Sequence, residues 1–196
     1  DMIMSVASRL TPQRDSGLGI EPVAALESLR SAHAHVDAMA LPANTEIVLK
    51  GVAGNALELE LVIEPRGARE VCLKVLRSAD GEEHTDIRFW RRADIREVVW
   101  GRRKDSLCID TTRSSLRPDV FARPPEVGPL ALGEDEPVRL RVFVDRSVVE
   151  VFANGRQFMA LRAYPMRKDS VGVSLLAVGQ DAVLHHLDAW QMAGIW

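Results

Sequence analysis

From about Thr45 onward, apolar and polar residues alternate with a period of two, the spacing of strands that bury one face and wet the other. Ala56 to Pro65 (ALELELVIEP) alternates apolar with acidic residues. The runs VCLKV and DIRFW flank Asp80-Gly81, a pair that tolerates positive φ, so the pattern predicts a hairpin there. Val138, Leu140, Val142 and Val144 alternate with Arg139, Arg141 and Phe143, and Val149, Val151 and Ala153 alternate with Glu150 and Phe152. Asn154-Gly155 then predicts a type I′ turn into RQFMALRAY. VGVSLLAV and AVLHHLDAWQM predict the closing strands. Between them and the first strands, Arg117 to Pro137 is rich in Pro and Gly and reads as a long connection crossing between sheets.

The N-terminal part is different. Asp1 to Ile20 holds one short apolar run followed by TPQRDSGLG, which reads as turn and loop. In EPVAALESLR, Pro22 suits a first helical turn and the alanines and leucines favour helix, so a helix is predicted from about Val23 to Ser31. Together these elements predict an all-β fold: a two-sheet antiparallel β-sandwich of the concanavalin-like or jelly-roll-like kind, preceded by one short linker helix. The boundaries are 21–34 for the linker helix and 35–196 for the sandwich.

Composition narrows the functional classes. With 46% hydrophobic and 27% charged residues, the chain has the balance of a folded soluble domain. A net charge of -3 gives no footprint for nucleic acid. The arginine-rich stretch Arg88 to Arg103 also carries Asp94 and Glu97 and reads as a solvated strand face. No apolar run approaches the ~18 residues of a membrane span, and DMIMSVASRL lacks the pattern of a signal peptide. The chain begins with Asp rather than Met, so it is expected to start partway into a longer product. Cys72 and Cys108 sit inside apolar strand-like runs. They read as buried free thiols, with a single bridge between them left open. The lack of a disulfide framework tilts the expected compartment towards the cytoplasm, with a secreted product the alternative.

Candidate chemistry is sparse. His33 and His35 would share a face of a strand, and His185-His186 is a second histidine pair. Two ligands fall short of the three or four that hold zinc, so no metal or other cofactor is expected. Glu134-Asp135-Glu136 reads as a solvated turn, and Ser147 and Ser174 lack the flanking glycines of a nucleophile elbow.

The last sixty residues carry a resemblance. Asp145, Arg146, Ser147, Val149, Glu150, Val151, Phe152 and Asn154 form a D-R-S-x-V-E-V-F-x-N pattern that resembles the closing segment of glycoside hydrolase family 32, the invertases, inulinases, levanases and related β-fructosidases. Leu107 to Leu116 (LCIDTTRSSL) is similar to the family's other hairpin strand, with Thr111 where Arg is usual. Met4 to Arg30 is similar to the junction out of the family's catalytic domain, with Ala7 in place of Pro and Ala25 in place of Glu. In the motif itself, alternation makes a hairpin rather than a catalytic site the simplest reading, and neighbours Asp145 and Arg146 should face opposite sides of a strand.

The resemblance implies a five-bladed propeller ahead of the sandwich, and hence that residues 1–20 are the tail of a catalytic domain. It also implies retaining hydrolysis, which needs two carboxyl groups about 5 Å apart: an Asp nucleophile in an N-D-P segment and a Glu acid/base in an E-C segment, with an Asp in an R-D-P segment holding the fructosyl hydroxyls. None of the three segments occurs here: Arg117-Pro118-Asp119 is a scrambled form, and Glu70-Val71-Cys72 is off by one residue. No residue of this chain therefore inherits a catalytic role. The expected partner is the propeller of the same polypeptide, docked on an apolar patch among Met2, Met4, Leu26 and Leu29, with a homodimer as a further expectation. A fructan-binding, lectin-like role is the alternative. It is weakened by an aromatic content of only 5% and by Trp190, which reads as core.

Overall fold

A computed structural model describes residues 4–13, 17–93, 104–120 and 123–194. The strands are β1 (Ser8–Pro12), β2 (Leu18–Pro22), β3 (Arg30–Val36), β4 (Met39–Leu41), β5 (Ile47–Ala53), β6 (Ala56–Glu64), β7 (Glu70–Arg77), β8 (Thr85–Ala93), β9 (Lys104–Asp110), β10 (Glu126–Pro129), β11 (Val138–Asp145), β12 (Val148–Ala153), β13 (Gln157–Arg162), β14 (Gly172–Val178) and β15 (Ala182–Met192). One sheet runs β10-β9-β8-β7-β14-β5 and the other β13-β12-β11-β6-β15-β3, with β4 also on β15. Every named strand pairing is antiparallel. The two sheets form a sandwich, as the alternation predicts.

The period of two decides which side chains fill the interior. On β6, Leu57, Leu59, Leu61 and Ile63 point into the core, while Glu58, Glu60 and Glu64 belong to the outer face. Val138, Leu140, Val142 and Val144 of β11 meet them from the same sheet. Val71, Leu73, Ile87, Phe89, Leu107 and Ile109 come from the opposite one. Val75 and Leu76 are consecutive, yet both lie in the core. Leu76 adopts φ 49° opposite the register shift between Gly172 and Ser174, a bulge that turns one extra side chain inward.

The helix is shorter and tighter than the sequence predicts. Ala24–Leu29 is a 3-10 helix with no side-chain cap, and Arg30 is already extended with ψ 133°. An isolated helix of this length is marginal, whereas Arg30–Val36 gains a ladder with β15 running from Leu187↔Val36 to Met192↔Arg30. Sheet pairing therefore overrides local propensity, and the linker helix assigned to 21–34 gives way to strand from Arg30. Two further differences concern loops. Strands β1 and β2 pair antiparallel, and Gln13 N–H donates to Gly17 O at 2.9 Å beyond their paired ends. The Arg117–Pro137 connection does cross between sheets, but it contains β10, which extends the six-stranded sheet through β9.

Asn154 and Gly155 adopt φ 50° and 62°, as a type I′ turn requires. The Arg156 N–H closes the turn on Ala153 O at 2.9 Å. Asn154 also accepts from Arg139 N–H and donates to Pro137 O, which pins this turn to the start of β11. A Cβ on Gly155 would meet only Glu21, at 3.6 Å, so Gly155→Ala is strained by backbone conformation alone. It is expected to cost about 1 kcal/mol, read as a shift of the urea midpoint at unchanged slope.

Candidate functional site

The outer faces of both sheets carry charges whose partners are supplied by neighbouring strands. On the seven-stranded sheet, fully buried Glu58 accepts from Arg30 Nε and Nη2 at 2.8 and 2.7 Å and from Arg141 Nε at 2.5 Å. Arg30 also lies 3.8 Å over the Trp190 ring. Trp190 is thus half-buried on the outer face, not in the core as its sequence context suggested. On the six-stranded sheet, Arg88 is ringed by Asp86, Glu70 and Asp110, and Trp90 Nε1–H donates to Glu70 at 2.8 Å. Arg88 is therefore part of a paired, half-buried array, while residues 94–103 of the arginine-rich stretch lie outside the described residues.

Cross-strand register places Cys72 and Cys108 on either side of Arg88 in one row. Two strand spacings, roughly 9–10 Å, separate them, beyond disulfide reach. Both are free and buried, and burial pushes the Cys108 thiol up to about 12. They behave as apolar packing groups rather than nucleophiles.

At one end of the sandwich lies a cleft of about 930 Å³ lined by Arg117, Arg146, Arg162, Tyr164, Arg167 and Lys168 among others. Behind its lining, Glu83, which is fully buried, holds Met166, Arg167 and Ser170. One carboxylate oxygen accepts from Leu116 N–H and Met166 N–H, and the other from Arg167 N–H and Ser170 Oγ–H. A single side chain thereby fixes two loops from different parts of the sequence. Arg117 and Asp119 form a bidentate pair at 2.9 and 2.7 Å on the cleft wall, so the scrambled R-P-D segment serves as a turn clamp.

The other sequence-flagged residues fall into structural contacts. Glu136 accepts from Gly133 N–H, Arg156 and Asn154 within the turn that the acidic triplet predicted. Ser174 Oγ–H donates to Glu46, which also pairs with Arg77. Arg146 turns the β11–β12 hairpin with φ 53° and lies 3.9 Å from Asp145 at an exposed site, a weak pair. Glu150 is buried and accepts the Val6 N–H on both oxygens at 3.1 Å. Burial holds its carboxyl above the ordinary range, against the pull of that bond. His33 and His35 share a face and meet at Asp188, whereas His185 lies 3.3 Å from Glu64.

Among the described residues, the clearest uncovered apolar surface is on the β1–β2 hairpin. Leu10 pairs with Ile20 and Pro12 with Leu18, so these four side chains share one face, while the Arg9–Glu21 ion pair occupies the other. Leu10 and Leu18 are 59% and 62% exposed, and Met4 nearby in sequence is 92% exposed. Leu26 and Leu29, expected to form this patch, are half-buried instead, and Met2 lies outside the described residues. The hairpin is not legible in the sequence because its strands are short and its apolar face carries a proline.

The family profile described as "Glycosyl hydrolases family 32 C terminal" matches residues 25–191. The cell wall β-fructofuranosidase of Zea mays is 36% identical over 118 residues, covering 58% of this chain and 17% of that protein. The levanase of Bacillus subtilis is 29% identical over 181 residues, covering 89% of this chain and 24% of that protein. Among solved structures, fructan 1-exohydrolase IIa from Cichorium intybus superimposes with a TM-score of 0.81 at 19% identity, over 95% of this chain and 40% of that one. The chain thus spans less than a quarter of the two curated relatives' length.

Proposed function

Since the chain belongs to the C-terminal domain family of glycosyl hydrolases family 32, we propose that it is the non-catalytic sandwich module of a β-fructosidase-type polypeptide, docked on that polypeptide's propeller catalytic domain. The parent reaction is hydrolysis or transfer of β-fructosyl groups of sucrose or fructans, in keeping with the names of the relatives. One observation carries the reading: the Leu10, Pro12, Leu18 and Ile20 face is apolar and its leucines have no cover among the described residues, while the buried carboxylates Glu58, Glu83, Asp86 and Glu150 each accept a hydrogen bond from elsewhere in the chain. An exposed apolar face of this kind marks an interaction surface, and the retaining reaction needs a free carboxyl pair.

The test is assembly in trans. The chain and the separately produced catalytic domain of the same polypeptide are expected to co-elute, and Leu10→Asp with Leu18→Asp to weaken the complex by roughly tenfold or more, a loss of at least about 1.4 kcal/mol. Release of fructose from sucrose, inulin or levan by the chain alone would refute the non-catalytic role. A homodimer that the same two substitutions dissociate, with no complex in trans, would assign the face to a second copy.

A second reading, fructan binding, is favoured by the cleft. Tyr164 is exposed there and Arg162 Nη1 donates to its hydroxyl at 3.0 Å, which sets an aromatic platform beside hydroxyl and guanidinium groups. Calorimetry with inulin, levan and sucrose decides it: heat that saturates at millimolar sugar supports binding, and no heat removes it.

A further inference from the structure

We propose that His33, His35 and Asp188 form a binding site for one divalent ion of the zinc, nickel and copper class. His33 Nε2 lies 2.7 Å and His35 Nδ1 2.8 Å from the same Asp188 oxygen, and ligand atoms of the three residues all fall within 4.8 Å of one another. Metal–ligand distances near 2.0–2.1 Å put tetrahedral donors about 3.3 Å apart, so to admit an ion the carboxylate withdraws by about half an ångström and the two imidazoles, whose ligand atoms lie within 4.8 Å of each other, close towards that spacing. An ion held by the three takes the place of the ring protons that face Asp188, each neutral imidazole then carrying its proton on its other nitrogen.

The supporting structure is rigid where a site needs it to be. Asp188 stands opposite His35, and Trp190 opposite His33, in the β15–β3 ladder, and β15 is braced on its other edge by β6. Sites built on paired strands hold geometry better than sites on loops. The His33 ring stacks on Trp190 at 5.0 Å with a 15° interplanar angle. The second nitrogen of His35 lies 3.5 Å from Asp37, the kind of outer carboxylate that orients metal-bound imidazoles.

The donor set selects the ion. Two imidazoles and one carboxylate suit zinc, nickel and copper, whereas magnesium and calcium require oxygen-rich shells. Three protein ligands at a partly exposed position leave a fourth place for water or for a side chain of a docked partner. The ion would also tie edge strand β3 to β15.

Titration calorimetry of the chelator-treated chain with zinc chloride tests the assignment. One equivalent is expected to bind. His33→Gln and Asp188→Asn, each at an exposed or half-exposed position, are expected to weaken it by roughly tenfold or more, while His185→Ala leaves affinity within about twofold. With copper(II), the resonance spectrum should show coupling to two nitrogens, reduced to one in His33→Gln. No binding at millimolar zinc, or binding that survives both site substitutions or is lost in His185→Ala, overturns the proposal.

Discussion

Glu83→Gln is expected to lower the melting temperature of the chain by about 10 °C and to open the cleft loops. The carboxylate accepts four hydrogen bonds, from Leu116 N–H, Met166 N–H, Arg167 N–H and Ser170 Oγ–H, at 2.6–3.0 Å. An amide presents one acceptor oxygen and turns its own N–H groups towards the remaining donors. Hydrogen bonds to a charged group contribute roughly 1.5–3 kcal/mol each, and a stranded buried donor costs about 1–3 kcal/mol. A net loss near 4 kcal/mol follows, and each kcal/mol shifts the midpoint by roughly 2–4 °C at this chain length.

The same contact sets a pH dependence. Burial alone would raise the Glu83 pKa, but the Ser170 hydroxyl and the three backbone N–H groups outweigh burial and hold it below the ordinary value. The unfolded chain therefore binds the proton more readily than the native one. The Glu83 contribution is complete above the unfolded value of about 4.3 and is lost as pH falls through the lower native value. Urea midpoints of the natural chain and Glu83→Gln should accordingly draw together as pH falls below about 4.3 and on through the lower native value. A gap that persists undiminished would show that the carboxylate charge is not what holds the loops.

Glu58→Ala is expected to cost about 3–5 kcal/mol. The substitution strands Arg30 and Arg141, both largely buried; among the described residues the ion pairs that remain to them are the longer contacts of Arg30 to Glu60 at 3.6 Å and Arg141 to Glu27 at 3.5 Å. Removing one member of a buried ionic cluster leaves uncompensated charge, whereas replacing the whole cluster with apolar side chains is often neutral. Glu58→Leu combined with Arg30→Met and Arg141→Leu should therefore recover stability to within about 1 kcal/mol of the natural chain. Chemical denaturation of both variants is the measurement. Equal instability in the single and triple variants would mean that packing, not charge pairing, makes Glu58 important. Arg30 also covers Trp190 at 3.8 Å, so indole emission should change in both.

Faces were legible in the sequence, and covers were not. Alternation in β6, β11 and β12 correctly separates Leu57, Leu59 and Val142 from Glu58, Glu60 and Arg141. It does not reveal that Glu58 is sealed from water, because Arg30 and Arg141 arrive from strands distant in the chain. The predicted helix failed at Arg30, where the propensity of six or seven residues met a ladder that the local sequence does not display. His33 and His35 share a face by period alone, but Asp188 joins them only through a register fixed 153 residues away. Glu83 follows the predicted Asp80-Gly81 turn, and its role is not legible there, since the amide groups it binds come from two separate loops. Asn154-Gly155 was readable because all of its chemistry is local.

Strand order has a consequence for biosynthesis. β6 is flanked by β11 and β15, and β14 by β7 and β5, so the middle of each sheet is completed by segments from the last third of the chain. Pairings of such wide sequence separation form slowly. While β14 and β15 are still inside the ribosome, the long apolar strands β6 and β7 have an unpaired edge, and the nascent chain is exposed to aggregation in that interval. Truncation just before Ala182 should therefore leave a polypeptide that needs a chaperone, however many of its strands are already made.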